Sequence, residues 1–430
     1  MNILKELDEL TKAEVISPGT ADHIRTYYKQ KGQDSGSKLF IVFGILGAIL
    51  VGLGLILIIA HNWDDLSKNI KVVIAYLPLV IAQLLCVYSL LKRSDSSAWR
   101  EASSAFLVFA VGASISLVSQ VYNIHGDLAS FLFTWMLLCL PVIYLMRSSV
   151  ASLLYIVGIT YYCCESNYFF SWGRSHTEVY HYWWMLLLAL PHYYQLIMNR
   201  PDSNFTVFHN WLVPLSLIIC LGTIAHHYGD LMYISYISLF GLFYLFGTSK
   251  VFSRMKRPVN GYVVFSSLGT TQILLMLSFH EYWQQIGWQP LNFYECYGSA
   301  EAISIYILVA LALGLFIFQN RKGITGFHPM KGIFLPFIFI FITGTAHPNT
   351  AVALINLLIL ATGIMVIRHG VVNDHLGILN YGLLTVTALV ICRFFDSNIS
   401  FVIRGLLFML VGVGFFVANF LMIKKRKQTQ

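Results

Sequence analysis

Apolar positions in this chain do not alternate with polar ones as they would along a half-buried strand. They run in long, unbroken blocks. One such block, GILGAILVGLGLILIIA, begins at Gly44 and ends at Ala60, and the polar unit HNWDD follows at once. Crossing a hydrocarbon layer ~30 Å thick takes about 20 apolar residues in helical form. Fourteen blocks approach that length: 39–60, 70–91, 102–121, 128–146, 149–165, 181–198, 206–226, 231–248, 260–279, 300–319, 332–346, 349–367, 374–392 and 399–423. The pattern predicts an all-α, polytopic integral membrane protein of about fourteen transmembrane helices. The number falls to thirteen or twelve if short blocks such as 149–165 and 332–346 do not cross.

Ahead of the first block the pattern changes. Ile3, Leu4, Leu7 and Leu10 recur at helical spacing, and Ser17 followed by Pro18 is an N-cap and first-turn pair that starts a second helix. Residues 1–37 therefore read as a short helical hairpin, suited to docking a protein partner. The first apolar block follows this polar stretch with no small-residue cleavage site, so it reads as a signal-anchor span. The expected organisation is 1–37 as the hairpin, 38–150 as a membrane segment of four helices, and 151–430 as a membrane region of about ten.

Composition agrees with lipid as the solvent. Hydrophobic residues make up 57% of the 430 and charged residues 11%, against about 25% charged in a typical soluble domain. The net charge of +8 does not point to nucleic acid, because it is distributed by side. With fourteen spans, 23 of the 28 Lys and Arg fall on the face that holds both termini, whereas Asp and Glu divide ten to each face. Lys and Arg resist translocation, so both termini are expected in the cytoplasm of a bacterial inner membrane. The basic inner face suits anionic lipid headgroups, and HNWDD faces outward.

Gly44, Ala48 and Gly52 form a small-residue stripe suited to close helix packing. Pro78, Pro141, Pro191 and Pro214 fall well inside blocks and Pro336 near the start of one, where each is expected to bend its helix. Cys163, Cys164, Cys296 and Cys392 lie near the outer ends, where a disulfide could form, but spacing does not choose a pair.

The opening hairpin, then GILGAILVGLGLILIIAHNWDDLS, FAVGASISLVSQVYNIHGD and FTWMLLCLPVIYLMRSS, resemble in that order the bacterial membrane-protein family designated domain of unknown function 2157. The resemblance covers about residues 3–150. It implies a membrane topology and assigns no activity to any residue.

Candidate chemistry gathers on the outer side. His61, Asn62, Asp64 and Asp65 follow the first block, and Gln120, Tyr122, Asn123, His125 and Asp127 follow the third. Imidazole beside carboxylate serves acid–base work or pH sensing, yet no spacing matches a metal motif, so neither a metal nor a cofactor is expected. Ser114, Ser116, Ser119 and Gln120 make a polar stripe that must face helices or water. Gly126 is expected to turn the chain and aim Asp127 back, and Trp63 and Trp135 to anchor at the interface. Gln83, Gln195, Gln272, Asn356, Asn380 and Asn419 read as helix–helix hydrogen-bonding amides. No Asp, Glu, Lys or Arg lies near the middle of a block, which argues against a proton-driven pump.

Three functions fit. The foremost is a carrier or flippase for a lipid-linked or small amphipathic molecule, in which the polar stripe borders a cavity. A non-enzymatic membrane sensor or assembly factor is the second. The third, an outer-face enzyme acting on a lipid-linked substrate, requires His61 or His125 within hydrogen-bond reach of a carboxylate. Membrane lipids are expected partners in every case, and nucleic acid in none.

Overall fold

The computed structural model describes residues 15–26, 67–169, 180–225, 227–252, 260–287, 296–321 and 328–394, with scattered positions within 7–13, 42–57 and 402–416. Every regular element among them is helical. The principal helices are α1 (Lys68–Lys92), α2 (Ser97–Val121), α3 (Leu128–Leu145), α4 (Ser149–Cys164), α5 (His181–Asn199), α6 (Asn204–Leu221), α7 (Met232–Gly247), α8 (Gly261–Met276), α9 (His280–Gly287), α10 (Ala300–Asn320), α11 (Phe334–Ala346), α12 (Pro348–Val372) and α13 (Leu376–Phe394). The protein is thus an all-α, multi-pass membrane protein.

Eight of the described helices are long and apolar enough to cross a membrane, or nine if the bent pair α8–α9 is one span. The expected fourteen is not reached among them. Helix α11 has only 13 residues, about 20 Å at 1.5 Å per residue. Helix α4 has 16 before it loosens into a π turn at Glu165–Phe169. Block 39–60 is described in part, with a short apolar helix over Val42–Val51, and block 399–423 lies largely outside the described residues. The N-terminal cap is where the sequence puts it: the helix over 18–26 begins with Thr20 N–H donating to Ser17 Oγ at 3.2 Å.

The chain forms two compact units, residues 1–166 with 180–194, and residues 167–179 with 195–430. In the first, α1 pairs with α2, and α3 and α4 pack on α2 and on each other. Helix α4 is held by a buried acid that the sequence reading passed over. Glu101, 4% exposed near the start of α2, accepts from Ser149 N–H (3.1 Å), Val150 N–H (2.9 Å) and the Ser148 hydroxyl (2.5 Å). Ser104 in turn donates to Ser148 Oγ at 2.6 Å. The first N–H groups of a helix have no intrahelical acceptor, and a carboxylate there also faces the positive end of the helix dipole. That explains how an acid can sit buried beside hydrocarbon.

Trp135 of α3 lies against Gly112 of α2, where an added Cβ would come within 2.6 Å of the indole, and donates to Val108 O at 2.7 Å. It is a packing residue between helices, not the interfacial anchor expected. Pro78, Pro141, Pro191 and Pro214 all lie inside helices. The Tyr144 hydroxyl donates to the Leu188 carbonyl, tying α3 to α5.

In the second unit α7 packs against α8, α10 and α11, and α12 pairs closely with α13. Trp283, Phe334, Phe337 and Phe341 are its largest fully buried side chains. Helices α8 and α9 meet at 84°. The carbonyls freed at that break are taken by side chains: Trp283 Nε1 bonds Leu277 O at 2.7 Å and Asn356 Nδ2 bonds Ser278 O at 3.2 Å. Arg393 Nη2 reaches Ser278 Oγ at 3.1 Å, and its guanidinium lies 4.5 Å from the Phe279 ring centre. Asn356 therefore fulfils the helix–helix role expected of it. A second buried acid, Glu301 at 1% exposure, accepts from His227 and Tyr228 N–H at 2.9 and 3.0 Å. All seven cysteines are free.

Close packing by small residues is most marked between α12 and α13. A Cβ on Gly370 would lie 2.5 Å from Leu379 N, and one on Gly382 2.8 Å from Ile367 N. A Cβ on Gly44 meets nothing within 4 Å, and Ala48 and Gly52 lie outside the described residues.

Two stability predictions follow from these contacts. Gly370→Ala should lower the Tm of the detergent-solubilised protein, because backbone must shift and overpacking costs roughly 1–3 kcal/mol; Gly314→Ala, where the added carbon meets nothing within 4 Å, should not. Glu101→Ala strands two helix N–H groups and should cost about 2 kcal/mol or more, read as a lower midpoint in thermal or denaturant unfolding, with Glu101→Gln intermediate.

Candidate functional site

The polar stripe on α2 opens onto a groove of about 1010 Å³ within the first unit, walled by α1, α2 and α3. Its rim is the α2–α3 turn, with Ile124, His125, Gly126 and Asp127. From the rim it runs down α2 past Gln120, Ser119, Ser116 and Ser114 to Val111. Val121 to Val111 spans about 15 Å along a helix axis, half of a ~30 Å hydrocarbon core. Tyr76 and Gln83 face it from α1, and Ser130, Thr134 and Leu138 from α3.

The hydroxyls and amides divide into two sets. Ser114 donates to Ala75 O (2.7 Å), Ser119 to Ile124 O (2.8 Å) and Thr134 to Ser130 O (2.9 Å). These groups are satisfied by the fold and tie α1, α2 and the turn together. Gln83, Ser116 and Gln120 are exposed to the groove and make no hydrogen bond with the described residues. A polar group left without a partner in hydrocarbon costs kilocalories, so this second set needs water or a polar ligand. Gln83 was read from the sequence as a helix–helix amide; its position in the groove corrects that. Its one sequence signal is the i, i+7 spacing from Tyr76, which puts both on one face of α1.

The rim residues have structural work of their own. Asn123 takes a left-handed backbone conformation at φ 51°, with its N–H on Gln120 O (3.3 Å) and the next N–H, of Ile124, on Ser119 O (2.9 Å). This is the Schellman closure of a helix C-terminus. The chain is therefore reversed by Asn123, and Gly126 does not supply the positive φ expected of it. Asp127 caps α3, its Oδ1 accepting from Ser130 N–H at 2.7 Å. Tyr122, 52% exposed, carries Lys68 Nζ 5.0 Å from its ring centre, a cation–π contact that ties the start of α1 to the end of α2.

Of the nine expected site residues, Gln120, His125 and Asp127 line the groove, and Tyr122 and Asn123 build the turn at its mouth. His61, Asn62, Asp64 and Asp65 lie outside the described residues, as does Trp63. His125 forms no ion pair or hydrogen bond with a carboxylate among the described residues, so the pairing that an outer-face enzyme requires is not found there. Among the same residues no group of three His, Cys, Asp or Glu is placed to hold a metal ion.

Helices of membrane-spanning length around a polar groove define the class, a polytopic helical membrane protein. Residues 8–152 match the family described as predicted membrane protein (DUF2157), the family that the motifs resemble, and every groove-lining residue falls inside that stretch. No curated protein and no solved structure matches the chain.

Separating cap from charge gives the prediction for this site. Asparagine caps a helix about as well as aspartate, so Asp127→Asn should leave the Tm unchanged while Asp127→Ala lowers stability by about 1 kcal/mol. Any loss of ligand binding in Asp127→Asn then reports the charge alone.

Proposed function

We propose that this protein is a carrier or flippase for a lipid-linked or amphipathic molecule whose head is uncharged and rich in hydroxyl groups. The supporting observation is the groove itself: Gln83, Ser116 and Gln120 lie exposed along a groove whose length is about half the depth of a membrane. Amides and hydroxyls both donate and accept, which matches the hydroxyls of a sugar. The lining contains Asp127 and His125 but no Lys or Arg; Lys68 lies over Tyr122 at the mouth, so a phosphate taken into the groove would leave that cation behind. The head of the substrate enters from the rim, and its chains stay in lipid beside the apolar walls. The direction of entry, from the outer side of a bacterial inner membrane, belongs to the same proposal and rests on the asymmetry of Lys and Arg along the chain.

The test is a flipping assay in proteoliposomes, using a fluorescent glycosyl diacylglycerol and an impermeant quencher. The purified protein should speed the loss of protected fluorescence several-fold over protein-free vesicles. Ser116→Trp, which plugs the groove at an exposed position, should abolish the gain without lowering Tm. No acceleration by the wild type, or undiminished acceleration by Ser116→Trp, refutes the proposal.

A further inference from the structure

The second unit has a separate pocket of about 360 Å³ that the carrier reading does not use. Its wall is apolar, with Val263 and Leu268 of α8 and Ile378 of α13, and Leu268 is 54% exposed. Two imidazoles line it from different parts of the chain, His328 buried and His375 exposed. His328 precedes the turn Pro329–Lys331 and its Nδ1 accepts weakly from Met330 N–H at 3.4 Å. Its ring stacks on Tyr244 (centroids 5.0 Å apart, 24° between planes) and meets His369 edge-on at 4.8 Å. His375 is an exposed residue of the α12–α13 turn, its ring lying over Gly377. Tyr381 closes the floor, its hydroxyl donating to Ser267 O at 2.8 Å and pairing with Thr271 Oγ1 at 2.5 Å.

The pocket lies where the C-terminal ends of α7 and α12 meet the N-terminal ends of α8 and α13. Arg200, Lys250, Lys331 and Arg368 lie at this end of the helices, with Asp202 and Asp374 as its acids among the described residues. Neither Lys331 nor Arg368 has an ion-pair partner among the described residues. Lys331 is half-buried, and loss of water pushes its ammonium below the ordinary lysine range. The charge asymmetry of the whole chain makes this the cytoplasmic side.

We infer that this pocket is a binding site for an anionic phospholipid of the inner leaflet. One acyl chain passes over Leu268 into the apolar wall, and the phosphodiester sits at the exposed rim beside His375, on the side of Lys331 and Arg368. Two features together select this occupant. An apolar wall with Leu268 exposed admits a chain, and Lys331 and Arg368, which have no ion-pair partner among the described residues, favour an anion at headgroup level. A basic surface alone would attract any acidic membrane; the pocket adds a place for one molecule. The inference stands independently of the carrier reading, since no residue is shared between pocket and groove.

The experiment measures Tm of the purified full-length protein in detergent with dioleoylphosphatidylglycerol, dioleoylphosphatidylcholine or glycerol 1-phosphate added, because a ligand that binds only the folded state raises Tm. Phosphatidylglycerol should raise it, and the other two should not. The shift should be lost in Leu268→Trp, which fills the pocket, and at least halved in the double variant Lys331→Gln/Arg368→Gln. It should persist in Leu384→Trp, a substitution at a 61% exposed position outside the pocket. An equal shift with phosphatidylcholine overturns the role of charge. An equal shift with glycerol 1-phosphate overturns the role of the chain. A full shift in Leu268→Trp, with its unliganded Tm matching that of Leu384→Trp, places the lipid elsewhere and overturns the site.

Discussion

Polar atoms surrounded by hydrocarbon must find partners inside the protein, and most of this structure can be read as a record of how they do. Lipid offers no hydrogen bonds, so each helix end, proline and side-chain amide has to be satisfied by another part of the chain or by water. Glu101 caps α4, Glu301 takes two N–H groups ahead of α7, and Trp283, Asn356 and Arg393 serve the carbonyls and hydroxyl at the α8–α9 break. Tyr144 reaches the Leu188 carbonyl, tying α3 to α5. These contacts join helices that have little hydrophobic reason to associate, because lipid is as apolar as their own surfaces. Gln83, Ser116 and Gln120 are set apart by lining one groove together, whereas the exposed amides Gln195, Gln272 and Asn380 lie outside it, and clustered polar groups in a membrane protein mark places where it meets something other than lipid.

The groove and the pocket differ in the chemistry they offer. The groove presents amides and hydroxyls with an acid and an imidazole at its mouth, and no Lys or Arg in its lining. The pocket is apolar inside, with Lys331 and Arg368 on the segments beside it. One suits a head with many hydroxyls and no charge, the other a single chain with a negative head. Neither preference depends on a single residue. Each comes from what a whole wall contains, and that makes both separable by substitution.

Much of this architecture was legible from the order of apolar blocks. Most helices fall within a few residues of the blocks that predicted them, because about 20 apolar residues in a row have few alternatives in lipid. Ser17 and Pro18 marked their helix start correctly. The stripe Ser114, Ser116, Ser119 and Gln120 was visible too, since one polar face on an apolar helix needs a reason. The short helices α4 and α11 were legible too, since they match the two blocks, 149–165 and 332–346, that were already short. The opposite wall of the groove could not be read, because Tyr76 and Gln83 become neighbours of α2 only once the helices pack. Glu101 was equally hidden, since a lone acid at a block edge looks like the solvated end of a span. Asn123 and Gly126 exchange roles for a local reason: asparagine tolerates the left-handed turn, and the helix ends two residues before it.

The account depends on the groove being wet and open to the exterior. The direct measurement is labelling of Ser116→Cys in intact cells by an impermeant maleimide, with the wild-type protein as the background and lysed cells as the maximum. The account predicts labelling in intact cells close to that maximum. A cysteine at this position that stays unlabelled in intact cells and reacts only after lysis would contradict it.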